Sequence, residues 1–151
     1  MSAAAPEHIP VLVLIADDSC AFREFLRLQL HKEFPDWRFA ETTSVQETID
    51  ACLALRPDLV LLDVYFPEGN SIQAVPRINQ ALPDTPVILL SAFDSHAARE
   101  AATRAGAMNF VSKPRIFEDL MGLLRDLPLP PRRAVTPSPI APDIVAGADP
   151  I

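Results

Sequence analysis

The sequence predicts an α/β protein in which a single five-stranded parallel sheet is covered by helices on both faces. Short runs rich in branched apolar residues recur five times along the 151-residue chain. Between these runs, apolar residues recur at helical spacing. Because parallel strands need crossovers of about helix length, this alternation predicts a doubly wound (βα)5 domain.

The five predicted strands differ in polarity. They lie at residues 11–16, 38–43, 59–62, 87–90 and 109–112. The runs at 11–16, 59–62 and 87–90 are apolar throughout, which is typical of central strands covered on both faces. The second strand has mixed polarity, which indicates a sheet edge. The third ends at Asp63 and a loop containing Pro67, as expected of a strand that delivers a carboxylate to a site.

The predicted helices have recognisable start and stop signals. They run from Ser19 to about 33, from Ser44 to 55, from 71 to 81, from 95 to 105, and through Phe117 to about 127. Ser44 and Glu47 have the spacing of a capping box. Pro76 either bends the third helix or marks its first turn. Gly106 closes the fourth helix.

Composition narrows the classes of function. The net charge of −7 and the pI near 4.8 argue against nucleic-acid binding through a basic face. Without an apolar run of bilayer length or a signal peptide, we expect no membrane association and a cytoplasmic location. Cys20 and Cys52 lack metal-ligand spacing and are interpreted as free thiols.

The chain divides into three parts. Residues 1–10 are predicted to be a loose lead-in, and residues 11–127 are predicted to form the domain. Residues 128–151 contain seven prolines and no sustained periodicity, so they are expected to be an extended or disordered tail or a linker. A proline-rich partner motif in this segment is the alternative.

Polar side chains that could take part in a reaction follow four of the predicted strands. They are Asp17, Asp18, Asp63, Ser91 and Lys113. Because the carboxyl ends of parallel strands share one edge of the sheet, we expect these groups to converge. Three carboxylates repel one another unless a cation lies among them, and oxygen ligands favour Mg²⁺. A nucleophilic Asp63 beside an ammonium and a hydroxyl is suited to phosphoryl transfer, with an aspartyl phosphate as the product.

These motifs resemble those of response-regulator receiver domains of two-component signalling. The matching stretches are LIADD (residues 14–18), LLDV (61–64) with Pro67, LSA (90–92) and VSKP (111–114). The resemblance covers residues 11–127 and is greatest to receivers of regulators with helix-turn-helix output domains. It implies a flavodoxin-like strand order of 2-1-3-4-5.

The resemblance also implies roles for the acidic residues. Asp63 would accept a phosphoryl group from a histidine kinase or a histidine phosphotransfer protein. Asp18 and Asp63 would bind Mg²⁺ directly, with the backbone carbonyl of Tyr65 as a third ligand. Asp17 would act mainly through water.

The remaining roles concern the phosphoryl group and the switch. Ser91 would hydrogen-bond the phosphoryl group and Lys113 would pair with it, while Ser91 and Phe110 would act as the switch. This switch would alter the face formed by helix 4, strand 5 and helix 5, which binds a downstream protein or a second copy. Phe110 lacks the hydroxyl of the commoner tyrosine, so its part in the switch would rest on burial alone. A plain core aromatic is the alternative for this residue. Ser71 replaces a usual glycine, which leaves the local backbone open.

Tyr65 and Phe93 each follow a site residue by two positions. Both are bulky, and neither can orient a water molecule with an acid or an amide. We therefore expect these dephosphorylation-tuning residues to obstruct an attacking water and to prolong the life of the phosphate.

Two signalling functions and one class of enzyme are the alternatives for this sequence. The first is a signalling module without its own output, and the second is the receiver portion of a DNA-binding transcriptional regulator whose output domain is absent from this chain. The third is an enzyme: a haloacid-dehalogenase-type phosphatase would need a second Asp where Tyr65 stands. A flavodoxin-like carrier would need a phosphate loop where Asp17-Asp18 would repel phosphate. We expect no enzymatic activity beyond the domain's own phosphorylation and dephosphorylation.

Overall fold

The computed structural model describes residues 9–129. Most of the predicted lead-in and proline-rich tail therefore lies outside the described residues. Within residues 9–129, no helix is both long and apolar enough to cross a bilayer.

Five parallel strands form the central sheet. They are β1 (Leu12–Ala16), β2 (Arg38–Thr42), β3 (Leu59–Asp63), β4 (Val87–Ser91) and β5 (Asn109–Ser112). Their order is β2-β1-β3-β4-β5, which confirms the predicted topology and places the mixed-polarity β2 at an edge.

Five helices connect or follow these strands. They are α1 (Cys20–Glu33), α2 (Val45–Leu55), α3 (Val75–Ala81), α4 (His96–Ala105) and α5 (Ile116–Asp126). Short 3₁₀ turns at Ser71–Ala74 and Lys113–Arg115 precede α3 and α5. Pro76 lies in the first turn of α3, where its missing N–H costs no hydrogen bond.

The helix caps follow the sequence signals with one displacement. Ser19 accepts from the Phe22 amide at 3.2 Å, and Ser44 accepts from the Glu47 amide at 3.1 Å. The reciprocal bond of the expected capping box is shifted by one residue, because Glu47 Oε1 accepts from the Thr43 amide at 2.8 Å. Both helices therefore begin at the predicted positions.

A small antiparallel hairpin after β3 was not predicted. Its strands are Tyr65–Phe66 and Gly69–Asn70, where the sequence indicated only a loop. Gly69 has a φ of +134°, a conformation that side-chain-bearing residues rarely adopt. The hairpin sets the direction in which the chain leaves Asp63.

Hydrophobic residues pack on both faces of the sheet. Leu14 and Leu62 belong to one buried cluster, and Val13 and Leu61 belong to the other, as the alternation of side chains along a strand requires. Cys52 lies in the first cluster, where burial raises the pKa of its thiol to about 12. The two clusters therefore support the strands by packing on both faces of the sheet.

Candidate functional site

Three carboxylates meet at the carboxyl edge of the sheet. Asp17 and Asp18 follow β1 and Asp63 ends β3, and each contributes one carboxylate oxygen to a group whose members all lie within 4.8 Å of one another. Asp17 and Asp63 are buried, whereas Asp18 is exposed. The convergence predicted for these three residues is therefore present.

Asp17 is held through both carboxylate oxygens and through its amide. The Ser19 amide donates to Oδ1 at 2.8 Å, and Lys113 Nζ donates to Oδ2 at 2.6 Å. The Asp17 amide donates to the Thr42 carbonyl of β2 at 3.1 Å. These bonds fix the Asp17 side chain in one orientation.

The Lys113 ammonium bridges two of the carboxylates. It lies 2.6 Å from Asp17 Oδ2 and 3.2 Å from Asp63 Oδ1. A third neighbour is the ring of Phe22, whose centroid is 4.1 Å from Nζ, within the range of a cation–π contact. Phe22 lies in the first turn of α1, and no sequence signal links it to a lysine 91 positions further on.

The pKa of the Asp63 carboxyl is raised by its surroundings. This pKa is raised to about 6, chiefly by burial and also by the nearby Asp17 charge, while Lys113 acts in the opposite direction and lowers it. The lysine therefore offsets only part of the cost of holding this buried charge. A cation beside Asp63 would favour the ionised form.

Ser91 ends β4 and is fully buried. Its hydroxyl donates to the Phe93 carbonyl at 2.7 Å and accepts from the Phe93 amide at 3.1 Å. The hydroxyl is thus engaged with its own loop in this structure. It lies at the same edge of the sheet as Asp63, where sequence reasoning expected it.

Ser71 is a site-adjacent residue whose contact the sequence did not reveal. Its buried hydroxyl donates to the backbone carbonyl of Asp63 at 2.5 Å, and its amide donates to the Val64 carbonyl at 2.8 Å. These two hydrogen bonds hold the backbone at Ser71, whose conformation the sequence did not predict, against the end of β3. In the sequence, only the hydroxyl of Ser71 could have indicated such a hydrogen bond.

The two aromatic residues expected near the site contact each other. Tyr65 and Phe93 have ring centroids 5.8 Å apart with an interplanar angle of 78°. Both side chains are exposed. They therefore form one edge-to-face pair that joins the loops after β3 and β4.

Phe110 of β5 is buried in the first core cluster. The Arg99 guanidinium of α4 lies 4.9 Å from its ring centroid and also forms a bidentate pair with Asp94, at 2.6 and 2.8 Å. Asp94 belongs to the loop after β4. A charged contact, rather than burial alone, thus links this ring to the loop that contains Ser91.

The carboxylate group fits a hard divalent cation. All three donors are oxygens, and one of them, Asp18, is open to solvent. Mg²⁺ and Ca²⁺ prefer such ligands, and Mg²⁺ usually keeps some of its water.

Comparison with known sequences gives one consistent family. A sequence model described as the response regulator receiver domain matches residues 13–125. The response regulator MprA of Mycolicibacterium vanbaalenii is 33% identical over 119 residues, which cover 79% of this chain and 51% of MprA. The DNA-binding transcriptional regulator NtrC of Rhizobium meliloti is 35% identical over 123 residues, covering 80% of this chain and 25% of NtrC. The chain thus spans about half the length of MprA and about a quarter of the length of NtrC.

Solved structures share the fold at lower identity. A CheY-like receiver domain from Methanospirillum hungatei JF-1 has a TM-score of 0.71 at 19% identity, covering 78% of this chain and 93% of that one. A Burkholderia pseudomallei response regulator, solved with a phosphorylated aspartic acid, calcium ion and citrate, has a TM-score of 0.70 at 19% identity, covering 77% and 67%.

Proposed function

The chain belongs to the response regulator receiver domain family, and on this premise we propose that Asp63 is its phosphoacceptor. The phosphoryl group would come from a histidine kinase or a histidine phosphotransfer protein. One observation supports this assignment most directly. Asp63 is a buried carboxylate at a strand end, with the Lys113 ammonium 3.2 Å away and two further carboxylates beside it.

The chemistry is a transfer between two nucleophiles. A carboxylate oxygen of Asp63 forms a bond to phosphorus while the bond between phosphorus and the donor histidine nitrogen breaks, and that nitrogen keeps the electron pair. Lys113 stabilises the negative charge on the phosphoryl oxygens. With a pKa of about 6, Asp63 is mostly ionised at neutral pH and is able to attack.

The cation site would use Asp18, Asp63 and the backbone carbonyl of Tyr65. When bound there, a divalent cation would supply positive charge to offset that of the phosphoryl oxygens and the clustered carboxylates. Asp17 already accepts hydrogen bonds on both carboxylate oxygens, which supports an indirect role for it.

The output would be a change in the face formed by α4, β5 and α5. The Ser91 hydroxyl would leave the Phe93 backbone for the phosphoryl group, and the loop carrying Asp94 would move with it. Because Asp94 holds Arg99 and Arg99 lies over Phe110, this movement would reach the ring. A downstream protein or a second copy of the chain would read the altered face.

A second candidate is the receiver portion of a DNA-binding transcriptional regulator. The similarity to NtrC and to the probable transcriptional regulatory protein TcrX of Mycobacterium tuberculosis favours it, because both carry transcriptional names and this chain spans at most half of each. Reading the gene beyond the codon for Ile151 tests this candidate. A helix-turn-helix segment in frame would support it.

The central experiment is phosphorylation by a small acyl phosphate in the presence of Mg²⁺, followed by intact mass. The wild type should gain one phosphoryl group, and Asp63→Asn should gain none. Asp84→Asn is the matched control. Asp84 is an exposed carboxylate in the turn before β4, so it lies at the end of the strands opposite to Asp63. A gain that persists in Asp63→Asn would refute the assignment.

A further inference from the structure

Arg23 of α1 connects the acidic turn, Asp17-Asp18, to the edge strand β2. Its Nη1 donates to the backbone carbonyl of Asp17 at 2.6 Å, and its Nε donates to Glu41 Oε1 of β2 at 2.8 Å. The side chains of Arg23 and Glu41 are only 11% and 16% exposed. None of the roles described above uses either residue.

This arrangement differs from an ordinary surface ion pair. Exposed pairs contribute little because water screens them and both side chains lose rotamer freedom. Here the planar guanidinium is largely enclosed and bonds to two elements at once, which limits the positions it can adopt.

The bond to Asp17 acts on the backbone that leads into Asp18. The Asp17 carbonyl belongs to the same planar peptide unit as the Asp18 nitrogen, so fixing the carbonyl fixes that plane. On the other side of Asp17, its amide is fixed by the Thr42 carbonyl. Hydrogen bonds therefore hold the backbone on both sides of Asp17, including the peptide plane that leads into the exposed Asp18.

The charges indicate that Arg23 affects the cation site through geometry and not through its own charge. A guanidinium beside a cation site would by itself repel the cation. Glu41 pairs with Arg23 through Oε1 and offsets this repulsion. Arg27 Nε lies 3.2 Å from Glu41 Oε2, but without a well-aligned hydrogen bond. The ion pair keeps the hydrogen-bond donor at Asp17 and reduces its electrostatic penalty.

We infer that Arg23, anchored by Glu41, is a positioning residue that aims Asp18 at the divalent cation. The inference rests on the cation site of the proposed function. It assigns to α1 and to the edge strand β2 a part in setting the affinity of the site for metal.

The test compares Arg23→Met with Arg27→Met. Both replace an arginine of α1 that pairs with Glu41, but the bond to the Asp17 carbonyl comes from Arg23. Titration calorimetry with Mg²⁺ alone should show affinity weakened roughly tenfold in Arg23→Met, the size typical of residues that orient metal ligands, and much less in Arg27→Met. Arg23→Lys, which can donate to the same partners without the fork, should fall between the wild type and Arg23→Met.

A second measurement needs no metal. In EDTA, the ¹³C′ chemical shift of Asp17 should change in Arg23→Met and stay near the wild-type value in Arg27→Met, because only the former removes the donor. Equal Mg²⁺ affinities in the two variants, or an unchanged Asp17 shift in Arg23→Met, would overturn the inference. If Arg23→Met does not fold, Arg23→Lys decides in the same way.

The cation site and the positioning role of Arg23 are distinguished by the Mg²⁺ affinity of the wild type. A wild type that binds no Mg²⁺ at millimolar concentration would overturn the cation site and the aiming of Asp18 together. A wild type that binds Mg²⁺ as tightly as Arg23→Met would overturn the positioning role and leave the proposed function standing.

Discussion

The rings of Tyr65 and Phe93 meet edge to face, with centroids 5.8 Å apart. Each ring stands two residues beyond a proposed site residue, Asp63 or Ser91, so the contact joins the two loops that border the site. Edge-to-face pairs add about 1 kcal/mol beyond the area they bury. The contact therefore favours an arrangement in which the two loops lie side by side.

Replacing either ring by asparagine should shorten the life of the aspartyl phosphate. Tyr65→Asn and Phe93→Asn each remove bulk from the path of an attacking water and add an amide that can orient it. We expect autodephosphorylation several-fold faster in both variants, measured by intact mass after removal of the phosphodonor.

Phe25→Asn is the control for the ring substitutions, because Phe25 is an exposed ring of α1 that pairs with Phe117 and not with Tyr65 or Phe93. It should lose phosphate at the wild-type rate. Unchanged or slower loss in both Tyr65→Asn and Phe93→Asn would contradict the expectation.

The raised pKa of Asp63 predicts a stability that falls with pH. The folded protein holds this proton more tightly than the unfolded chain, so the contribution is complete below the ordinary carboxyl pKa and is lost as pH rises through about 6. The difference in pKa corresponds to about 3 kcal/mol at neutral pH. Asp63→Asn, which cannot ionise, should therefore be more stable than the wild type at pH 7 by up to this amount.

Urea unfolding in EDTA at several pH values measures this difference. At low pH the two proteins should have similar free energies of unfolding, which serves as the internal control. An advantage of Asp63→Asn that stays constant from low pH to pH 7 would show that ionisation of Asp63 is not its cause.

Lys113→Met should make the stability of the fold more sensitive to a divalent cation. The substitution leaves the Asp17 and Asp63 carboxylates without the ammonium that now lies between them. Breaking a buried ion pair costs about 3 kcal/mol or more, so unfolding in EDTA should require less urea. Added Mg²⁺ should restore more stability to the variant than it adds to the wild type, because the cation then provides the missing charge. Equal Mg²⁺ effects on the two proteins would argue against a shared electrostatic role.

Ser71→Ala should lower stability by about 1–2 kcal/mol, because it leaves the buried Asp63 carbonyl without its hydroxyl donor. Ser95→Ala gives a useful comparison, since it removes a hydroxyl that caps α4 at an exposed position. Thermal unfolding should show both losses, but the phosphorylation rate should fall only for Ser71→Ala. A Ser71→Ala protein with wild-type stability would show that the hydroxyl is not needed to hold the loop.

The positions of Asp17, Asp18, Asp63 and Lys113 could be predicted because a parallel sheet has a simple rule. Strands of one direction end at one edge, so residues that follow different strands meet there whatever their separation in the chain. Apolar runs locate the strands, and residues such as Ser19, Ser44 and Gly106 mark the helix ends through local hydrogen bonding and backbone conformation.

Contacts between elements could not be predicted in the same way. The rings of Phe22 and Tyr65, the fork of Arg23 and the hydroxyl of Ser71 find partners that depend on how each helix or loop is rotated and displaced over the sheet. Local periodicity tells which face of α1 is apolar, but it does not tell that Arg23 reaches a carbonyl of the acidic turn. The sequence thus determines the fold and the inventory of reactive groups, and the packed structure determines what orients them, because orientation is set by long-range packing that no short pattern encodes.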